Sequence, residues 1–178
     1  MKLNQLAVTV ALSSALFSAG TLAASDNTIT FKGAVSDQTC TVSVNGSDTA
    51  PVVLLPTAAA ADLAVSGATA KPTTFELGVS NCTAATSAVD ITTVFVGNNV
   101  TATGHLGNTG TATNIDIQLL DPSKAAIDLS GGYAGVGDLT LAVGDTDASA
   151  TYTAQYFATG KATVGTVQAS LQYAVTYP

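Results

Sequence analysis

"VGTVQASLQYAVTYP", residues 164–178, places an apolar residue at every second position: Val167, Ala169, Leu171, Tyr173, Val175 and Tyr177. A period of two puts these side chains on one face of an extended strand and the residues between them on the other. The row stops one residue short of the Pro178 carboxylate. A strand this regular is expected to be one partner of a long β-ladder.

Working back along the chain, the same period recurs. "ATYTAQYFATG" (150–160) precedes the closing strand across Gly160-Lys161, and "DLTLAV" (138–143) lies between glycines. "NIDIQLLDP" (114–122) alternates Ile115, Ile117 and Leu119 before stopping at Asp121-Pro122. "AVDITTVFVG" (88–97) reads as a partly continuous apolar strand, and "TTFELGVSN" (73–81) aligns Phe75, Leu77 and Val79. Asn and Gly turns punctuate these runs, and no long stretch has a 3.6-residue period, so the reading is an all-β sandwich. Between Pro56 and Pro72 the Ala-rich "LPTAAAADLAVSGATA" (55–70) is expected to be a loop holding at most one turn of helix.

At the other end, Lys2 and the apolar run Leu6 to Phe17 have the form of a signal peptide. Residues 1–23 are assigned to it, with cleavage after Ala23 or, one residue on, after Ala24. No later apolar stretch approaches the roughly 20 residues of a membrane span, so direct membrane insertion is not expected. The remaining residues suit one domain. In an exported chain Cys40 and Cys82, the only two cysteines, read as one disulfide.

Charge narrows the function. Twelve acidic residues against five lysines and no arginine give a formal net charge of −7, made more negative when Lys2 leaves, and nucleic acid is excluded as a partner.

The residues for catalysis or metal binding are sparse. His105, the only histidine, lies in the Gly/Thr/Asn-rich "TATGHLGNTG" and is expected to be a solvated loop residue. Asp138, Asp145 and Asp147 do not match a calcium loop and read as turn formers. No G-x-S-x-G turn accompanies the serines, and Glu76 lies mid-strand. The expectation is therefore no enzyme, no cofactor and no metal.

"NTITFKGAVSDQTC" (27–40) stands apart. It begins just after the leader, where chain ends are usually frayed, yet Ile29, Phe31, Gly33 and Val35 share one face of a strand. It is either the first strand of the chain's own sandwich or a strand donated to another molecule; Gly33 favours close backbone approach across an interface.

These two ends, with "FELGVSNC" leading to Cys82, "IQLLD" at 117–121 and "AQYFATGKATVGTVQASLQYAVTYP" at 154–178, resemble the pilin subunits of chaperone–usher fimbriae, in particular major shaft subunits of type 1-like pili. Gly165 and the penultimate Tyr177 are the most specific points of likeness, and Pro178 departs from the polar last residue common in that family.

The resemblance implies an immunoglobulin-like sandwich lacking its seventh strand, with residues 24–36 as a donor-strand extension and residues 37–178 as the pilin domain. Ile29, Phe31, Gly33 and Val35 would enter a neighbour's groove by strand addition. Gly165, Val167, Ala169, Leu171, Tyr173, Val175, Tyr177 and Pro178 would form the zipper with a periplasmic fimbrial chaperone. The other implied partners are an outer-membrane usher, further copies of the chain and related pilins. The implied location is the cell-surface fimbrium, reached through the periplasm, and the implied role is a structural subunit of an adhesive fibre. A minor tip or adaptor pilin is the alternative within the family. A secreted carbohydrate-binding sandwich is less favoured, since the chain has no Trp for sugar stacking.

Overall fold

The alternation at Phe75, Leu77 and Val79 falls in the longest strand of a computed structural model, which describes residues 40–178. Eight strands follow one another: β1 (Thr41–Val44), β2 (Thr69–Ser80), β3 (Val89–Gly97), β4 (Leu106–Gly107), β5 (Ile115–Leu120), β6 (Tyr133–Leu141), β7 (Ala148–Ala158) and β8 (Leu171–Thr176). They form a five-stranded sheet, ordered β1-β2-β7-β5-β4, and a three-stranded sheet, ordered β6-β3-β8. Every recorded pairing is antiparallel. One turn of 3-10 helix, Ala60–Leu63, interrupts the loop between β1 and β2, as the Ala-rich segment predicts.

The core lies between the sheets because each strand turns its alternate apolar residues inward. Leu77 and Tyr152 from the larger sheet and Ile91, Phe95 and Leu139 from the smaller are fully buried. Burying a side chain of this size contributes roughly 1.5–3 kcal/mol. Aromatic rings link the layers: Tyr152 stacks on Phe75, with centroids 5.7 Å apart, and meets Phe95 edge-on at 4.9 Å. Such geometry adds about 0.5–1.5 kcal/mol per pair beyond area burial.

Cys40 and Cys82 form a disulfide, with Cα atoms 4.3 Å apart. It ties the start of β1 to the end of β2, and closing a loop of this size is worth roughly 4 kcal/mol in the chain-entropy model.

The structure changes or adds to these expectations at four points. β3 alternates, burying Ile91, Thr93 and Phe95, so its apolar run is not continuous. β6 begins at Tyr133, five residues ahead of the expected "DLTLAV" run, and a register shift opposite Ile91/Thr93 accommodates Gly137 at φ 76°. β7 and β8 lie in different sheets. The closing strand is also shorter than its alternation: β8 covers Leu171–Thr176, the chain bends at Val164 and Gly165, and residues 166–170 lead into β8 without belonging to either sheet.

Asp138 is not a turn former. It lies in β6, where Oδ2 accepts hydrogen bonds from the hydroxyls of Tyr152 (2.6 Å), Tyr133 (2.8 Å) and Thr93 (3.2 Å). Burial and the neighbouring carboxylate push both tyrosine pKa values well above their ordinary range. The phenols are therefore fixed as donors at any physiological pH.

Candidate functional site: an open groove beside the last strand

β8 is bonded along one edge only. It pairs with β3 from Thr92↔Thr176 to Gly97↔Leu171, and no second strand flanks it among the described residues. Val167, Ala169, Leu171, Tyr173, Val175 and Tyr177 all pack against the main core, yet each is only half-buried. Central residues of other strands, such as Leu77 and Leu139, are completely covered. The difference is a missing neighbour: the row faces inward, but its flank is open.

The segment 163–170 is held by a side-chain lattice in place of a strand. Thr166 and Gln168 carbonyls accept the backbone N–H groups of Ala112 (3.0 Å) and Thr109 (2.8 Å), and the Ser170 carbonyl accepts Asn98 N–H (3.2 Å). Thr111 and Thr166 exchange backbone-to-hydroxyl bonds of 3.1 and 2.9 Å, and Thr113 N–H donates to Thr163 Oγ1 at 2.9 Å. Residues 166, 168 and 170 thus direct backbone groups toward this lattice. In an extended chain the backbone groups of alternate residues point to opposite edges. Those of Gly165, Val167 and Ala169 face the other way and have no partner among the described residues.

The lattice demands glycine where the two segments touch. A Cβ on Gly165 would come within 2.7 Å of the Thr111 carbonyl carbon, and one on Gly110 within 2.6 Å of that of Thr166. The glycine at 165 therefore has a steric reason: backbone has to pass backbone here.

Opposite the row runs "PVVLLP" (51–56), which is extended but belongs to no strand. Val53 and Leu55 turn inward, while Val52 and Leu54 stand 81% and 84% exposed. Between this segment and the row lies a cleft of about 480 Å³, floored by Phe75, Leu106, Ile117 and Leu119. An apolar trough with an unpaired backbone edge can accept an added strand, which would satisfy the edge and cover the row.

The site residues named from sequence divide accordingly. The zipper residues from Val167 to Tyr177 line or flank one trough, with only Leu171, Tyr173 and Val175 inside β8; Gly165 sits at its lattice end and Pro178 is exposed. Ile29, Phe31, Gly33 and Val35 lie outside the described residues. Sequence reasoning missed Asn108, Thr111, Thr113, Val53 and Leu55. "PVVLLP" carries the only legible signal for the last two, a short apolar run between prolines.

His105 corrects another expectation, being 8% exposed rather than solvated. Its ring lies 4.3 Å from that of Phe157. Gln155 Nε2 donates to Gln118 Oε1 at 2.7 Å, which turns Gln118 Nε2 toward His105 Nε2 at 3.3 Å. His105 Nε2 is then the acceptor, and Nδ1 carries the proton facing Asp116 Oδ2, 3.9 Å away. Desolvation holds the His105 pKa below 6.5, opposed by the charges of Asp116 and Asp128. Among the described residues no three His, Cys, Asp or Glu side chains are grouped to hold a metal.

Comparison with known proteins agrees with this geometry. The family model described as Fimbrial protein matches residues 29–178. The chain is 38% identical to the F17 fimbrial protein of Escherichia coli over 85% of this chain and 87% of that one. It is 38% identical to the major fimbrial subunit SMF-1 of Stenotrophomonas maltophilia, over 86% and 94% of the two chains. With the type-1 fimbrial protein A chain of Escherichia coli the identity is 32% over 99% and 100%. In fold it is similar to the P pilus rod subunit PapA, at a TM-score of 0.58 and 16% identity, over 78% of this chain and 99% of that one. A subunit from the structure of a chaperone–usher pilus also gives a TM-score of 0.58, at 19% identity over 90% and 100%. An open-edged, disulfide-tied β-sandwich and a match extending from residue 29 to the last residue establish that the chain belongs to the fimbrial protein family, the pilins of chaperone–usher fimbriae.

Proposed function

We propose that this chain is a shaft subunit that polymerises by donating residues 24–36 into the groove of the next copy. The observation that carries the reading is the half-buried row from Val167 to Tyr177 beside an unpaired backbone edge. Ile29, Phe31 and Val35 supply the side chains such a trough lacks, and Gly33 supplies close approach. Backbone bonds along the edge give affinity, and alternate side chains in the trough give register. The role is structural rather than catalytic, in a fibre on the cell surface.

Before assembly the open edge is an aggregation hazard. A periplasmic chaperone that lends a strand and anchors the Pro178 carboxylate covers Gly165 to Tyr177 in the interval. An outer-membrane usher is the place where the lent strand is exchanged for the extension of the next subunit. Residues 1–23 direct export and are removed. Breaking the finished joint means reopening the sandwich edge, so its durability is governed by an unfolding rate.

The test separates donation from chaperone binding. Phe31→Asp is expected to abolish oligomers while the subunit still co-purifies with a periplasmic chaperone. Removal of Tyr177 and Pro178 is expected to abolish co-purification instead. Loss of both properties from Phe31→Asp would mean that Phe31 belongs to the subunit's own core, and the donor assignment would fail.

A further inference from the structure

We infer that Asn108 is a positioning residue for strand capture: its side-chain amide stands in for the N–H and C=O of one residue of a missing strand and sets Val167 in register at the end of the groove. The inference rests on the donor-strand reading above and adds to it the residue that shapes the receiving edge.

Four hydrogen bonds converge on this one amide. Asn108 Oδ1 accepts N–H groups from Gly110 and Gln168, both at 2.8 Å. Nδ2 donates to the carbonyls of Ala112 at 2.8 Å and Thr166 at 3.4 Å. Two of these bonds fold the 108–112 turn, and the other two reach the extended segment on either side of Val167. Donating to the carbonyl of the residue before Val167 and accepting from the N–H of the residue after it is the pattern that one residue makes, through its own N–H and C=O, in a parallel ladder.

The consequence follows from the two edges of an extended chain. Because Thr166 and Gln168 are engaged on the lattice side, Val167 presents its own N–H and C=O to the opposite edge and its side chain to the cleft. Residues 171–176 need no such device, since β3 holds them. Residues 163–170 have only the lattice, in which backbone bonds from Thr109 and Ala112 hold the Gln168 and Thr166 carbonyls while Asn108 Oδ1 alone holds the Gln168 N–H. Losing the Asn108 amide therefore leaves the Gln168 N–H without a partner and loosens the receiving edge beside Val167, where a one-residue slip turns each side chain to the wrong face.

The test uses the full chain, purified as its complex with a periplasmic fimbrial chaperone, and an excess of a synthetic peptide of residues 24–36. Val167→Cys in the chain is paired in turn with peptides carrying cysteine at each position from Ile29 to Val35, and disulfide formation is read on a non-reducing gel alongside the rate of peptide capture. With Asn108 in place, one peptide position is expected to dominate cross-linking. In Asn108→Ala, cross-linking is expected to spread over neighbouring positions and capture to slow roughly tenfold, the scale of one or two lost net hydrogen bonds. Destabilisation alone would slow capture without changing the partner. Should Asn108→Ala fail to fold, Asn108→Ser, whose hydroxyl keeps the turn bond to the Gly110 N–H but is too short to span Thr166 and Gln168, is expected to show the same spread. A single unchanged cross-link in whichever variant folds would overturn the role of Asn108. Failure of the unsubstituted chain to capture peptide at all would instead overturn the donor-strand reading beneath it.

Discussion

Tyr152 Oη, on the five-stranded sheet, lies 2.6 Å from Asp138 Oδ2 on the three-stranded sheet and ties the two layers at the buried end of the aromatic stack. The same hydroxyl lies 2.6 Å from Thr93 Oγ1, which in turn donates to Asp138. Tyr152→Phe removes one partner and keeps the ring, so a loss of roughly 1–2 kcal/mol is expected. Asp138→Ala takes the acceptor from three hydroxyls at once, leaving Tyr152 and Thr93 only each other, and is expected to cost more than Tyr152→Phe. Denaturant unfolding of both variants checks the order; equal effects would mean that Asp138 is not the hub of the network.

Gly165→Ala forces a methyl group against the Thr111–Ala112 backbone, which cannot retreat without breaking the lattice. A destabilisation of roughly 1–3 kcal/mol is expected, as for other overpacked sites. Gly131→Ala, where a Cβ would meet nothing within 4 Å, is the control and should be close to neutral. Thermal unfolding of the two variants side by side distinguishes a steric demand at Gly165 from a general preference for glycine.

His105 makes the fold sensitive to acid. Its folded-state pKa lies below its ordinary 6.5 because burial opposes the charged form. A base that is harder to protonate when folded contributes stability that is complete above the unfolded value and is lost as the pH falls below about 6.5. Protonation would also replace the Nε2 acceptor by a donor, so the Gln118 amide would have to turn away from its bond with Gln155. The midpoint of thermal unfolding is expected to drop between about pH 7 and pH 5, and His105→Gln should shallow that slope. A slope unchanged by the substitution would place the acid sensitivity elsewhere.

Alternation carried most of the fold from sequence. Phe75, Leu77 and Val79 face the core as their spacing requires, and so does the row from Val167 to Tyr177. What alternation does not carry is the identity of the neighbour. Val167 and Ala169 keep the strand period while threonine and asparagine side chains replace the ladder, so the period is continuous where β8 is not. His105 and Asp138 were misread for a related reason. His105 is covered by Phe157 and Gln118 on other strands, and Asp138 is engaged by Tyr152 across the sandwich and by Tyr133 five residues back in β6; no residue immediately beside either one announces it. The groove was legible only as an unexplained surplus: one apolar row too many at the front of the chain, matched by one flank too few at the back.

The central claim is that residues 24–36 of one copy complete the sandwich of another. The most direct measurement compares the full chain with a chain lacking residues 24–36, each produced with a periplasmic fimbrial chaperone, for oligomers that survive SDS without heating. The account predicts a ladder from the full chain and none from the shortened one, which should still take up an added peptide of residues 24–36. A full chain that remains a stable, soluble monomer without any chaperone, or a ladder from the shortened chain, would contradict it.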